Sequence, residues 1–149
     1  TLRSTFITGY PGESRKEFEE LRNFIRSKAV DKPGIFIYSD EPGSDAYSLK
    51  RKVAKKEKQE RHRALMLDSQ EVCLYNDKNK INSKMTGLVL GRISGKEFMG
   101  RFQTDAPDVD GFVRIKAHEK IKAGSFVPVR VISAGKRGIE AVYAGRIKK

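Results

Sequence analysis

Cysteine is nearly absent from this sequence: of 149 residues, only Cys73 carries a thiol. No disulfide can form within the chain, and the expected compartment is the reducing cytoplasm. A metal site is not expected either, because Cys73 has no second cysteine or nearby histidine to share a metal. The two histidines, His62 and His118, each stand among charged residues and are expected to be solvated. No apolar run approaches the roughly 18 residues of a membrane span, and the N-terminus lacks a signal-peptide pattern, so no membrane partner is expected. Acid is also short, with 19 acidic against 31 basic residues and a net charge of +12. The imbalance is concentrated. Residues 1–80 hold 17 basic and 13 acidic residues, whereas residues 81–149 hold 14 and 6. A small basic half of this kind suits a polyanionic partner, most often a nucleic acid.

The chain does have alternating elements at its start. Leu2 to Thr8 is a β-branched and aromatic run ended by Gly9, which reads as a strand. After the loop Gly9–Glu13, Ser14 and Glu17 form a capping box. Phe18, Leu21 and Ile25 then share one helical face, with acids early and bases late to suit the helix dipole. Pro33-Gly34 is expected to stop this helix, and Ile35-Phe36-Ile37-Tyr38 to form a strand buried on both faces. Strand, helix, strand implies a right-handed parallel βαβ unit. Both following loops, Gly9–Glu13 and Ser39–Ala46, then leave the carboxyl ends of the strands, the edge where α/β folds bind ligands. The same spacing also fits ordinary tight βα turns.

Lys50 to Lys58 holds six bases and one acid. It reads as a solvated helix start and linker, with an RNA-contacting patch as the alternative. A long helix is expected from there to about Asn79, with Leu65, Ser69 and Val72 on one face, Leu67 and Leu74 beside it, and Cys73 as a small packing residue.

From Ser83 the period changes. Met85–Leu90, Phe98–Gln103, Phe112–Lys116, Phe126–Ile132 and Ile139–Gly145 read as strands, separated by Gly91, Ser94-Gly95, Asp110-Gly111, Ala123-Gly124 and Gly135 to Gly138. Five short strands predict a small closed, OB-like β-barrel that folds on its own. Pro128 is expected at a bulge or an unpaired position. Arg92, Arg101, Arg114, Lys116 and Arg130 are candidates for a binding face, or are simply outward strand positions. Within this basic half, Asp105, Asp108 and Asp110 crowd three carboxylates into one connection. Proline, aspartate and Asp-Gly there predict a turn-rich link between two strands.

The string Gly100-Arg101-Phe102-Gln103-Thr104-Asp105-Ala106-Pro107-Asp108-Val109-Asp110-Gly111 resembles the TRAM domain that ends the radical-SAM methylthiotransferases. Its D-A-P-x-x-D-G form is similar to the branch acting on an aspartate of a small-subunit ribosomal protein. Thr5, Phe6, Ile7, Gly9, Pro11, Gly12 and Glu13 match T-x-F-I-x-G-x-P-G-E, near the end of that family's radical-SAM barrel. Tyr38, Ser39, Glu41, Gly43, Ser44 and Ala46 match Y-S-x-E-x-G-[TS]-x-A, with Pro42 where another acid is usual.

The resemblance implies an α/β fold, the C-terminal part of a radical-SAM, TIM-like barrel in residues 1–82, followed by an all-β OB-like TRAM barrel in 83–149. It implies an S-adenosylmethionine-dependent transferase with iron–sulfur (4Fe-4S) clusters in the full-length parent. Gly9, Pro11, Gly12, Glu13, Tyr38 and Ser39 would form part of the cosubstrate wall. Arg101, Asp105, Asp108 and Asp110 would dock the target. No catalytic or metal-ligating residue is expected here, because the C-x-x-x-C-x-x-C signature is absent and a cluster needs three thiolates. The chain alone is therefore expected to hold no cluster and to be inactive. The implied partners are the small-subunit ribosomal protein and ribosomal RNA. The alternatives are the same chemistry on a tRNA adenosine, or a non-catalytic RNA- or ribosome-binding module.

Overall fold

A computed structural model describes residues 1–145 and divides the chain into two compact units, Thr1–Cys73 and Leu74–Lys149. The first is built on β1 (Arg3–Thr8), α1 (Arg15–Arg26) and β2 (Lys32–Ile37). β1 and β2 pair in parallel, from Arg3 opposite Lys32 to Thr8 opposite Ile37. The capping box forms as the sequence predicts: Glu17 N–H donates to Ser14 Oγ at 3.2 Å, and Ser14 N–H to the Glu17 carboxylate at 2.7 Å. Helix α2 runs from Lys55 to Lys78.

Phe18 and Ile25 of α1, Ile35 of β2, and Leu65 and Val72 of α2 form one buried cluster. Asp68 is 4% exposed and lies between two guanidinium groups, Arg22 Nε at 2.9 Å and Arg26 at 2.8 Å. Two charged donors compensate the desolvation of that carboxylate.

Several details depart from expectation. Helix α1 ends at Arg26, where Lys28 takes a left-handed φ of 63°. Pro33 and Gly34 lie inside β2 instead of stopping the helix. Proline is tolerated because each strand of a two-stranded sheet is an edge. The Pro33 carbonyl accepts from buried Ser69 Oγ at 2.7 Å. Nor is β2 buried on both faces: Ile35 is covered, but Phe36 is 60% exposed. The helices cover one face only, so Ile7 and Phe36 remain in the open. Leu67 is exposed as well. His62 is half-buried, with Nε2 3.3 Å from the Ile35 carbonyl, because it faces β2.

The second unit contains β3 (Lys84–Ser94), β4 (Glu97–Phe102), β5 (Val113–Lys116), β6 (Phe126–Gly135) and β7 (Gly138–Tyr143). They close into a barrel in the order β3-β4-β5-β7-β6, antiparallel except for the β5–β7 pair. Alternate residues such as Val127, Val129 and Val131 fill its interior. Gly91 is not a turn: it lies within β3 at a shift of register that bends the strand. Phe112 precedes β5. Pro128 is opposite Thr86 with no bulge. Its carbonyl accepts from Ala144 N–H, so its nitrogen also faces that side, past the last paired residue, Tyr143. No helix among the described residues is long and apolar enough to cross a membrane.

Candidate functional site

Parallel pairing brings the loops after β1 and β2 to one edge, and Tyr10 meets Tyr38 there edge-on at 5.3 Å. Gly9 and Gly12 both have left-handed φ, 78° and 90°. A side chain at Gly9 would meet Lys58 Cγ at 2.6 Å, whereas a side chain at Gly12 would meet nothing within 4 Å. Gly9 is thus required by packing, whereas the Gly12 N–H donates to the Arg51 carbonyl at 2.9 Å and only the space beside its Cα is open. Pro11 is buried beneath the loop.

Glu13 turns inward. Its carboxylate accepts from Gly9 N–H at 2.5 Å, Thr8 Oγ1 at 3.2 Å and Arg61 at 2.8 Å. Arg61 is itself 7% exposed, lies over the Phe18 ring, and donates to the Glu13 carbonyl at 3.0 Å. Burial acts to lower the Arg61 pKa, but hydrogen bonds to Glu13 and Glu57 outweigh it and raise it. Glu13 therefore holds the loop's shape, and its oxygens are already engaged.

Tyr38 is half-buried and Ser39 is exposed, with Ser39 Oγ 3.0 Å from Glu41. The Lys58 ammonium stands 4.8 Å from the Tyr38 ring centre, and that of Lys52 stands 5.5 Å away. Lys52 is paired with Asp40. The Tyr38 hydroxyl is buried without a hydrogen bond of full geometry. Desolvation, followed by the nearby Asp40 carboxylate, raises its pKa.

This edge offers tyrosine faces, open space beside Gly12, a buried hydroxyl and two ammonium groups held at Tyr38. It does not fit an iron–sulfur cluster: Cys73 packs in α2 with Sγ 3.9 Å from the Asp31 carbonyl. Among the described residues no three His, Cys, Asp or Glu side chains gather as a metal site.

The sequence reading missed Arg61, Lys52 and Lys58. The basic run Lys50–Lys58 was expected to be a solvated linker or an RNA patch, yet two of its ammonium groups turn onto Tyr38. The signal available was Gly9, whose missing side chain makes room for the Lys58 stem.

In the barrel, the acidic connection joins β4 to its antiparallel neighbour β5. Asp105 accepts from Phe102 N–H at 2.7 Å, and Asp110 from Ala106 N–H at 2.8 Å. Both carboxylates build the turn from within. Asp108 differs: it is exposed, with a left-handed φ of 61° that aspartate tolerates. Gly100 is also structural, since a Cβ there would lie 2.5 Å from Ile115 Cδ1.

The five candidate bases do not form one free face. Arg92 donates to the Gly95 carbonyl at 2.9 Å. Arg114 and Lys116 flank Glu140 at 3.6 and 3.2 Å. Arg101 aligns outward with Leu88 and with Phe126, which is 74% exposed, while Arg130 is exposed on β6.

A five-stranded barrel entered from a helix and carrying this turn is of a known class: residues 83–143 match the family model of the TRAM domain. The chain as a whole is similar to enzymes called ribosomal protein uS12 methylthiotransferase RimO. It is 38% identical over 133 residues to that of Caldanaerobacter subterraneus subsp. tengcongensis, covering 89% of this chain. It is 39% identical over 134 residues, or 90% of this chain, to that of Elusimicrobium minutum. With the enzyme of Legionella pneumophila subsp. pneumophila the identity is 39% over 129 residues, or 87% of this chain. The chain spans about 30% of the length of these relatives. The resemblance to methylthiotransferases, read first from two loops and one turn, thus extends over most of the chain.

Proposed function

We propose that this chain is the C-terminal part of an S-adenosylmethionine-dependent radical methylthiotransferase acting on an aspartate of a small-subunit ribosomal protein in the cytoplasm. The observation that carries the reading is a similarity to such enzymes that runs through both units. In this reading residues 1–82 complete the α/β radical-SAM barrel and 83–149 form the TRAM domain. The exposed apolar face at Ile7 and Phe36, with two open strand edges, supports continuation of the sheet.

Bound in the full-length enzyme, S-adenosylmethionine and 4Fe-4S clusters would supply the radical and sulfur-transfer chemistry. The residues of this chain bind and position. Gly9, Pro11, Gly12, Tyr38 and Ser39 form part of the cosubstrate wall, with Glu13 shaping it from behind. Arg101 and Asp108 face the target.

Among targets, an exposed carboxylate favours a basic ribosomal protein over a tRNA, since like charges disfavour association with phosphate. Arg130 and the exposed Phe126 remain for ribosomal RNA. Incubation of the full-length enzyme with the ribosomal protein and with tRNA, followed by mass spectrometry, tests the reading. A methylthio group on the aspartate is the expected product; a methylthioadenosine in tRNA, or no product on either, would overturn it. Asp108→Asn is expected to weaken binding of the ribosomal protein and lower its salt sensitivity, with the melting temperature unchanged. Unchanged binding would assign Asp108 to the turn alone.

A further inference from the structure

At the carboxyl edge the ammonium groups of Lys52 and Lys58 share one nearby carboxylate, Asp40. Lys52 is neutralised by Asp40 and also donates to the carbonyls of Ala46 and Tyr47 at 3.0 and 3.1 Å. Lys58 makes no direct ion pair among the described residues, although Asp40, held low first by its hydrogen bond to Lys52, also feels the Lys58 charge. Lys58 is half-buried, its stem is pressed onto Gly9, and its ammonium makes one long hydrogen bond, 3.4 Å to the Tyr38 carbonyl. The Tyr38 ring holds it on one side at 4.8 Å. A lysine normally loses much rotamer freedom on binding an anion. Here packing has already removed that freedom, so little further ordering is needed.

We propose that Lys58 is the carboxylate-binding residue of this edge, receiving a ligand carboxylate near the open space beside Gly12. The ligand must present an anion there. Two ammonium groups already face the Tyr38 ring with one carboxylate, Asp40, shared between them, and the excess positive charge attracts an anionic group. A neutral nucleoside end would leave the Lys58 ammonium desolvated and unpaired, which opposes binding.

The proposal rests on the function proposed above, where two carboxylates are at hand: the amino-acid end of S-adenosylmethionine and the side chain of the target aspartate. Lys58→Met in the full-length enzyme keeps the stem against Gly9 and removes the charge, and Lys58→Arg restores a charge. Equilibrium binding is measured for S-adenosylmethionine and for its decarboxylated analogue. It is measured in parallel for a ribosomal-protein peptide carrying the aspartate and for its asparagine version. A charge-assisted hydrogen bond predicts a loss of tenfold or more on Lys58→Met, partly recovered by Lys58→Arg. If the loss falls on S-adenosylmethionine and spares the decarboxylated analogue, the carboxylate is the cosubstrate's. If it falls on the aspartate peptide and spares the asparagine peptide, the carboxylate is the target's. Equal losses within both pairs, or none, with the thermal melt unchanged, would overturn the proposal. Failure of the unmodified enzyme to bind either carboxylate ligand would instead overturn the function on which it rests.

Discussion

Replacing Arg61 with methionine is expected to destabilise the first unit through a single loop. Arg61 contributes three hydrogen bonds: two to Glu13, at 3.0 and 2.8 Å, and one to Glu57 at 2.5 Å. The Glu57 side chain is half exposed, so its ion pair contributes little, about 0.5 kcal/mol or less. Glu13 is different, because its side chain is 10% exposed and would stay buried with only Gly9 N–H and Thr8 Oγ1 as donors. Removing one partner of a buried pair costs about 3 kcal/mol, most of it from the charge left behind. In urea, with a slope of about 2 kcal/mol/M, the midpoint should fall by about 1.5 M. Circular dichroism at 222 nm suits the measurement, because α1 lies in this unit and α2 begins there. Replacing both partners, Glu13→Leu with Arg61→Met, should recover much of the loss, since an apolar pair carries no desolvation cost. A midpoint shift under about 0.3 M for Arg61→Met would refute the reasoning, showing that desolvation already cancels the pair.

Two further outcomes follow from the barrel. Gly100→Val should unfold the barrel or cost about 3 kcal/mol or more in a chemical melt, because its Cβ would press on Ile115 Cδ1 and on the Leu88 carbonyl at 2.9 Å; a stable variant with dispersed amide NMR signals would contradict the packing. The Glu140 pKa is lowered by its hydrogen bond to Lys116, by the Lys116 charge and then by Arg114. A carboxylate with a depressed folded pKa contributes stability that is present above its unfolded value, near 4.5, and is lost as pH falls through the folded value. Glu140→Gln should therefore flatten the acid limb of a stability–pH curve, and an unchanged limb would count against it.

The elements legible in the sequence were those set by local chemistry. Ser14 and Glu17 are three residues apart and cap each other, so the start of α1 needed nothing distant. The strand expected at Phe126–Ile132 was marked by the turn signals Ala123-Gly124 and Gly135 to Gly138 on either side, and β6 covers it. What could not be read was set by partners far along the chain. Lys28, with no special propensity, ends α1 through its own left-handed φ, while the obvious breakers Pro33 and Gly34 sit in an edge strand that tolerates them. The exposure of Phe36 depends on how many layers cover the sheet, which no window of four apolar residues reveals.

The candidate site was divided in the same way. Two loops were placed on one edge by topology alone, but the groups that shape that edge, Arg61 and Lys58, come from a helix more than forty residues downstream of the first loop. Their basic neighbours in sequence, such as Lys55 and Lys56, are exposed, so composition gave no means of separating them. The acidic turn shows the limit from the other side. Asp105, Asp108 and Asp110 look alike as letters, and each suits a turn. Geometry parts them: the first and last satisfy backbone N–H groups of their own connection, and the middle one, lifted out by a left-handed φ, presents its charge to solvent. A motif therefore mixes residues that build a loop with residues that use it. Substituting all three at once would confound the two roles, and Asp108 alone can report on recognition without disturbing the turn.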